Sequence, residues 1–468
     1  DAKTSEGLDG EWDELEAYYD GCEAKGTKWD KSKTLSGPLI ASDKAAQKYT
    51  GSSIFLNIFQ PYVDMGSARA NEILVPTNDK PFGIRPTPMQ DIENATNAPD
   101  MIQDPATGQP MPVADVAKQM LSEAKQAAEK AETRIWDWWT EWRWQSEGRK
   151  MIDMAAKIGT SVLKGPFPKK FKGKKVNVTN GMTSIEMVES MKPVSRVIHP
   201  RNLFPDPACG ESIHDGSYVW ERDFITAKQL KALMGSTDST GEPLYLDDQI
   251  AECLIEGPGK KYSSDPRADR SDKDKFEIWY FHGNATHEDM KAAGCDCEEG
   301  EVVPAAVTLV NDRVIKAKLS TLDSGEFPYD VFVWQAKPGC WWGIGVGHQV
   351  ITPQRMLNSD ARKLMDNNGL SSMPILVIDD DHFEPADGEG DYTLRPGMVL
   401  RRKASSDGSV RAADAVVAIN IPNMQEQLMN TINFALQMAE RCTGMSAQQE
   451  GTQGANQETA AGREILQA

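Results

Sequence analysis

GIGVGHQVITPQRMLNSDARKLMDNNGLSSMPILVID, residues 343–379, is where this chain changes from short strands to long helix. Thr352 can cap a helix whose first position is Pro353, and Gly369 stands where a C′ glycine would end it. Pro353 to Asn368 would then rise about 24 Å. Leu357, Ala361 and Leu364 make only a narrow apolar stripe, flanked by Gln354, Arg355, Arg362 and Lys363. A helix so polar is expected to pack against few neighbours. The glycines at 343, 345 and 347 do not complete a dinucleotide-binding fingerprint, because His348 occupies the third glycine position and no βαβ unit is evident. They read as a flexible lead into the helix.

Downstream, Pro422 opens and Gly444 closes a second helix with Leu428, Ile432, Ala435, Leu436, Ala439 and Cys442 along one side, over roughly 30 Å. The segment between the helices, Ser371 to Ile421, is strand-rich and holds an acidic loop from Asp379-Asp380-Asp381 to Asp391. After Gly444, Met445 to Gln457 is Gln/Gly/Ala/Asn-rich with Glu450 as its single charge, a composition that builds no core and predicts a mobile loop.

Upstream, Val113 to Gly165 is strongly helical and is expected to form two helices broken near Ser146 to Gly148. Ile135, Trp138, Trp139 and Trp142 fall on one face. That face reads as core or subunit interface, with a ligand-stacking platform as the alternative. From Val162 to Trp334 short strands alternate with turns, marked most clearly by the hairpin dipeptide Asn180-Gly181, with a short helix at Thr226 to Met234. The resulting fold class is α+β rather than alternating βαβ. Nearer the N-terminus, a short helix and an exposed arm precede a helix from Val63 to Leu74, and Phe82 to Pro88 reads as an extended edge strand.

The length of 468 residues leaves room for about three domain-sized units. A net charge of −19 disfavours simple nucleic-acid binding by a basic face. Seven scattered cysteines, an odd number, argue for reduced thiols. No apolar run approaches the roughly 20 residues of a membrane helix, and no leader pattern opens the sequence, so synthesis in the cytoplasm is expected.

Motifs for chemistry are sparse. Gly259-Lys260 lacks the rest of a phosphate-binding loop. His282, His287, Cys295 and Cys297 have zinc-ligand chemistry but none of the usual spacings, and read as a strand end and an acidic turn. Lys169, Lys170, Lys172, Lys174 and Lys175, interleaved with Phe171, read as a solvated hairpin loop, or else as a contact for phosphate or an acidic partner. No local set of nucleophile, base and orienting group stands out.

Four segments in order, Ile54 to Pro88, Gly159 to Pro166 (GTSVLKGP), Val197 to Pro207 (VIHPRNLFPDP) and Gly343 to Asp379, resemble the portal proteins of podovirus-type tailed phages. The resemblance implies a homododecameric ring with a central channel and no enzymatic activity or cofactor. It implies a wing over 1–345, and stem helices Pro353 to Asn368 and Asn423 to Thr443 within 346–370 and 422–444. It further implies a clip over 371–421 and a tunnel loop over 445–457, with 458–468 starting the next helix and the family's crown or barrel absent. Gln448, Gln449, Gln453 and Asn456 would face double-stranded DNA without sequence specificity. Asp379, Asp380, Asp381, Glu384 and Asp387 would face the large terminase subunit and the tail adaptor or head-completion proteins. Leu357, Ala361, Leu364, Leu428, Ile432 and Leu436 would pack the stem. Capsid and scaffold proteins complete the implied partners, with no membrane, at a capsid vertex of the virion and in the host cytoplasm during assembly. The rival readings are a metal-dependent hydrolase built on the His282/Cys295 region and a non-ring head adaptor or scaffold protein.

Overall fold

The computed structural model describes residues 7–22, 52, 54–76, 80–87, 89–96, 101–103, 110–179, 182–237, 241–259, 275–295, 302–320, 322, 325–372, 375–378, 383–386, 400–402 and 416–445. The chain divides into two units, Asp1–Glu16 with Pro61–His348, and Ala17–Gln60 with Gln349–Ala468. The N-terminal helix α1 (Leu8–Tyr19) buries Trp12 and Leu15. Helix α2 (Phe59–Leu74) stops ahead of Pro76, where the residue before a proline leaves helical backbone. The expected edge strand at Phe82 to Pro88 is not formed over its described residues, 82–87, and Pro88 lies outside them. Prolines remove ladder donors there, and the segment is held instead by Ile84 N–H donating to Glu132 Oε2 at 3.3 Å and by Phe82 against the Trp139 ring.

Helix α3 (Gln90–Ala95) and the small pair β1 (Met101–Gln103) with β2 (Pro110–Pro112) lead into α4 (Val113–Glu141) and α5 (Trp144–Ile158). The break lies at Trp142-Arg143, not at Ser146 to Gly148. Arg143 takes a left-handed φ of 53° and lets Trp139 stack on Trp144 across the corner at 3.9 Å between ring centroids. Gly148 serves packing: a Cβ there would lie 3.2 Å from the Trp144 ring. The tryptophan face divides accordingly, with Trp139 stacked, Trp142 against Phe171 and Trp138 still exposed beside Arg134.

Strands β3 (Thr160–Thr179) and β4 (Met182–Ile198) form a long antiparallel hairpin in which Thr179 pairs with Met182, leaving only Asn180 and Gly181 between them. The lysine run lies inside β3 and not in a loop, because the alternation of lysines with Phe171 and Val176 suits a strand whose partner supplies Glu186 and Glu189 opposite Lys175 and Lys172. Next come β5 (Leu203–Pro205), β6 (Tyr218–Thr226), α6 (Ala227–Lys231), α7 (Asp247–Glu256), β7 (Lys275–Thr286), α8 (His287–Ala292), β8 (Val302–Val310) and β9 (Arg313–Leu319). Their five strands form one antiparallel sheet in the order β5-β6-β7-β8-β9. Thr226 and Gln229 form a reciprocal capping box on α6. Leu230, Ile250, Cys253, Phe276, Ile278, Val310 and Ile315 form the core between the sheet and α6 and α7.

Strand β10 (Tyr329–Val333) adds a third strand to the base of the hairpin, over Thr160 to Lys164, and β11 (Gln335–Ala336) pairs with β12 (Gly343–Ile344). The glycine run here is tightly packed rather than flexible. A Cβ on Gly345 would lie 2.6 Å from Gly159 N, and one on Gly343 2.5 Å from Gln335 O. Only hydrogen fits.

Helix α9 (Val346–Ser372) therefore begins directly at this joint, with Pro353 inside it and Gly369 within its last turn. Pro353 has no N–H to give the helical ladder, but its fixed φ suits the helix. After α9, β13 (Ile375–Ile378) pairs with β16 (Val416–Ile419), and between them in sequence β14 (Phe383–Pro385) pairs with β15 (Leu400–Arg402). Helix α10 (Gln425–Thr443) ends the described chain, closed by Gly444 at φ 68° with its N–H on Glu440 O. Helices with antiparallel sheets make the fold α+β. No helix among the described residues is long and apolar enough to cross a membrane.

Candidate functional site

The second unit is organised on α9. Leu357, Ala361, Leu364, Ile432 and Ala435 form one buried cluster, with Leu428 and Leu436 packed against it and Ile58 and Met356 on its edge. The flanking polar residues do not leave the helix short of neighbours. Gln354, Asn358, Arg362 and Asp366 recur every fourth residue, so they stack along one side of α9. All of them hold backbone groups of Ser52, Ile54, Leu56, Ile58 and Phe59, leading into α2. Gln354 Oε1 accepts from Ile58 N and Phe59 N, both at 2.9 Å, while its Nε2 donates to Leu56 O at 2.6 Å. Asn358 Oδ1 accepts from Leu56 N at 2.9 Å, Arg362 Nε donates to Ile54 O at 3.1 Å, and Asp366 Oδ1 accepts from Ser52 N at 2.7 Å. Gln354 and Asn358 are fully buried in doing so. Sequence reasoning missed this set, although its period of four was the available signal.

Asn367 fixes the start of α10: its Nδ2 donates to Pro422 O at 3.1 Å and its Oδ1 accepts from Met424 N at 2.9 Å. Helix α10 consequently starts at Gln425, not at Pro422. Opposite its buried side, Glu426, Asn430, Asn433, Gln437 and Arg441 are exposed at intervals of three and four, with Phe434 among them. This outer face carries amides at its centre and one charge of each sign near its ends. Glu384 lies in β14, in register with Arg401 of β15. Asp379, Asp380, Asp381, Asp387, Gln448, Gln449, Gln453 and Asn456 fall outside the described residues.

The family model that matches this chain is that of the phage SU10 portal protein, over residues 113–468. The chain belongs to that portal family. The match takes in both long helices and the strands between them. No curated protein matches the chain.

Elsewhere in this portal protein, one buried polar cluster is internally paired. In the first unit Glu221 accepts from Tyr329 Oη at 2.6 Å and pairs with Lys164, whose Nζ also lies 4.0 Å from the centroid of the Tyr280 ring. Burial, reinforced by the Glu221 charge, pushes the Tyr280 and Tyr329 hydroxyls well above their usual range. His282 packs edge-on against Tyr329, and burial, with Lys164 and Lys316 nearby, lowers its pKa to about 4. His287 begins α8 and Cys295 follows it, while Cys297 falls outside the described residues. Among the described residues no three His, Cys, Asp or Glu side chains come together as a metal-binding group.

Proposed function

We propose that this chain is the ring-forming portal subunit at one capsid vertex, the conduit through which the genome is packaged and later ejected. The observation that carries this reading is the family match across both long helices and the nested strands between them. In this reading α9 and α10 are the stem and the strands between them form the clip that meets the terminase and later the tail adaptors. Residues 445–457 form the tunnel loop, and the remainder forms the wing. Capsid and scaffold proteins surround the ring during assembly. ATP hydrolysis by the terminase drives the DNA, and the portal itself performs no catalysis.

A conduit works best when it touches DNA without holding it. Lysine or arginine contacts to phosphate release counterions and strengthen binding to the duplex. The amide-centred face of α10 and the Gln448, Gln449, Gln453 and Asn456 positions offer weak contacts that do not depend on sequence. The net charge of −19 opposes wider adhesion.

Mass photometry with negative-stain microscopy of the full chain tests the proposal. Closed rings with a central hole wide enough for duplex DNA are expected. A chain that stays monomeric both alone and with scaffold protein would overturn it.

A further inference from the structure

Beyond Lys164 the β3–β4 hairpin has no third strand among the described residues, yet it continues as a two-stranded ribbon from Phe167 to Thr179 and back from Met182 to Val194. At about 3.3 Å per residue that ribbon is roughly 40 Å long. Trp142 packs on Phe171 and Lys192 pairs with Glu141 near its base, while Met187 and Met191 are exposed. It is also the one dense basic stretch of an acidic chain: six lysines, at 169, 170, 172, 174, 175 and 192, against two glutamates, at 186 and 189.

Its complement is on the same chain. Helix α7, DDQIAECLIE, holds four carboxylates and no cation. Asp248, Glu252, Ile255 and Glu256 share its exposed face, and Ile255 is 85% exposed. Arg313 pairs with Glu252 and Glu256 and neutralises only part of this charge. A cavity of about 190 Å³ adjoins the helix end, lined by Glu256, Glu277, Trp279 and Asp312. The ribbon combines lysines with exposed methionines; the helix combines carboxylates with an exposed isoleucine.

We infer that the β3–β4 ribbon of one copy docks on the α7 face of a second copy. Two different patches in contact make a heterologous interface, the type that propagates from copy to copy and closes into a ring when the rotation permits. The inference rests on the ring reading and names the surfaces that hold neighbours together.

Charge reversal on full-length protein tests it. Lys170 and Lys174 stand opposite Met191 and Met187, so Lys170→Glu with Lys174→Glu sets no like charges directly opposite each other. These changes, or Asp248→Lys with Glu252→Lys on α7, should each weaken self-association at least about tenfold, the equivalent of one desolvated charge pair. Combining the two sets should restore association, which mere loss of folding would not allow. Rings formed as readily by either reversal variant as by wild type would overturn the ribbon contact while leaving the ring reading in place. A ribbon variant that still forms rings but no longer retains duplex DNA would overturn it in favour of a nucleic-acid contact. Wild-type protein that never associates would remove the ring reading and this inference together.

Discussion

Gln354 Nε2 donates to the backbone carbonyl of Leu56 at 2.6 Å, so a helical side chain serves that carbonyl as a neighbouring strand would. With its Oε1 on the Ile58 and Phe59 amides, one buried glutamine satisfies three backbone groups. Gln354→Ala leaves all three unpaired in a dry site, for an expected loss of about 2–4 kcal/mol. Hydrogen exchange should show it locally, as faster exchange at the Ile58 and Phe59 amides. Ser359→Ala, exposed on the same helix, should change little.

Much of the fold was legible because local chemistry decided it. Asn180-Gly181 sits in the gap between two strands that pair up to Thr179 and Met182, and Gly444 ends α10 in the left-handed conformation that glycine tolerates. The misread places are those where tertiary contact overrode local preference. Gly345 looked like a hinge, yet its backbone fits against Gly159 in a space that excludes a methyl group. The helix corner went to Arg143 because Trp139 and Trp144 stack across it. In the candidate site the apolar positions of α9 and α10 could be read from their spacing. The partner of the polar stripe could not, because Leu56 lies some three hundred positions from Asn358 in sequence.

The glycine joint gives a sharp comparison. Gly159 has φ 86° and its added Cβ would lie 2.1 Å from Gly343 O, whereas Gly210 has φ 65° with open space around it. Gly210→Ala should cost about 1–2 kcal/mol, the left-handed penalty alone. Gly159→Ala adds a backbone collision and should cost several-fold more, read as loss of soluble protein or a much larger fall in thermal midpoint. Equal effects would show that the joint relaxes freely.

Lys164 and Glu221 form a buried pair, with the Glu221 side chain only 3% exposed. Lys164→Met strands that carboxylate with the Tyr329 hydroxyl as its remaining close donor, at an expected cost of about 3–5 kcal/mol. Adding Glu221→Leu should recover part of the loss, since an apolar pair of similar volume avoids burying a lone charge. Denaturation midpoints of the single and double variants decide the matter, and a double variant worse than Lys164→Met would refute it.

His282 makes stability pH-dependent in a defined direction. Its folded pKa is depressed to about 4 by burial and by Lys164 and Lys316, against about 6.5 when unfolded. The unfolded chain therefore binds the proton first as pH falls, and stability drops from about pH 6.5 downward. Between about pH 7.5 and 5.5 this group alone should remove about 1 kcal/mol. That range stays above the sequence pI of about 4.9. His282→Phe should flatten this part of the pH profile, and an unchanged slope would exclude His282 as its source.

In the proposed conduit, the outer face of α10 would border the DNA path. Asn430, Asn433 and Gln437 are exposed there and uncharged. If this face borders the DNA path, Asn433→Lys with Gln437→Lys creates phosphate contacts that the wild type lacks. Each such contact should steepen the fall of log K against log salt by about 0.9 for duplex DNA. Packaging in a reconstituted motor should then slow at low salt and recover as salt screens the new charges. Gln448→Lys with Gln453→Lys should act in the same direction, because the tunnel-loop reading gives those positions the same task. A pair of lysines that changes neither the salt slope nor the packaging rate would remove α10 from the DNA path, while leaving its packing against α9 unaffected.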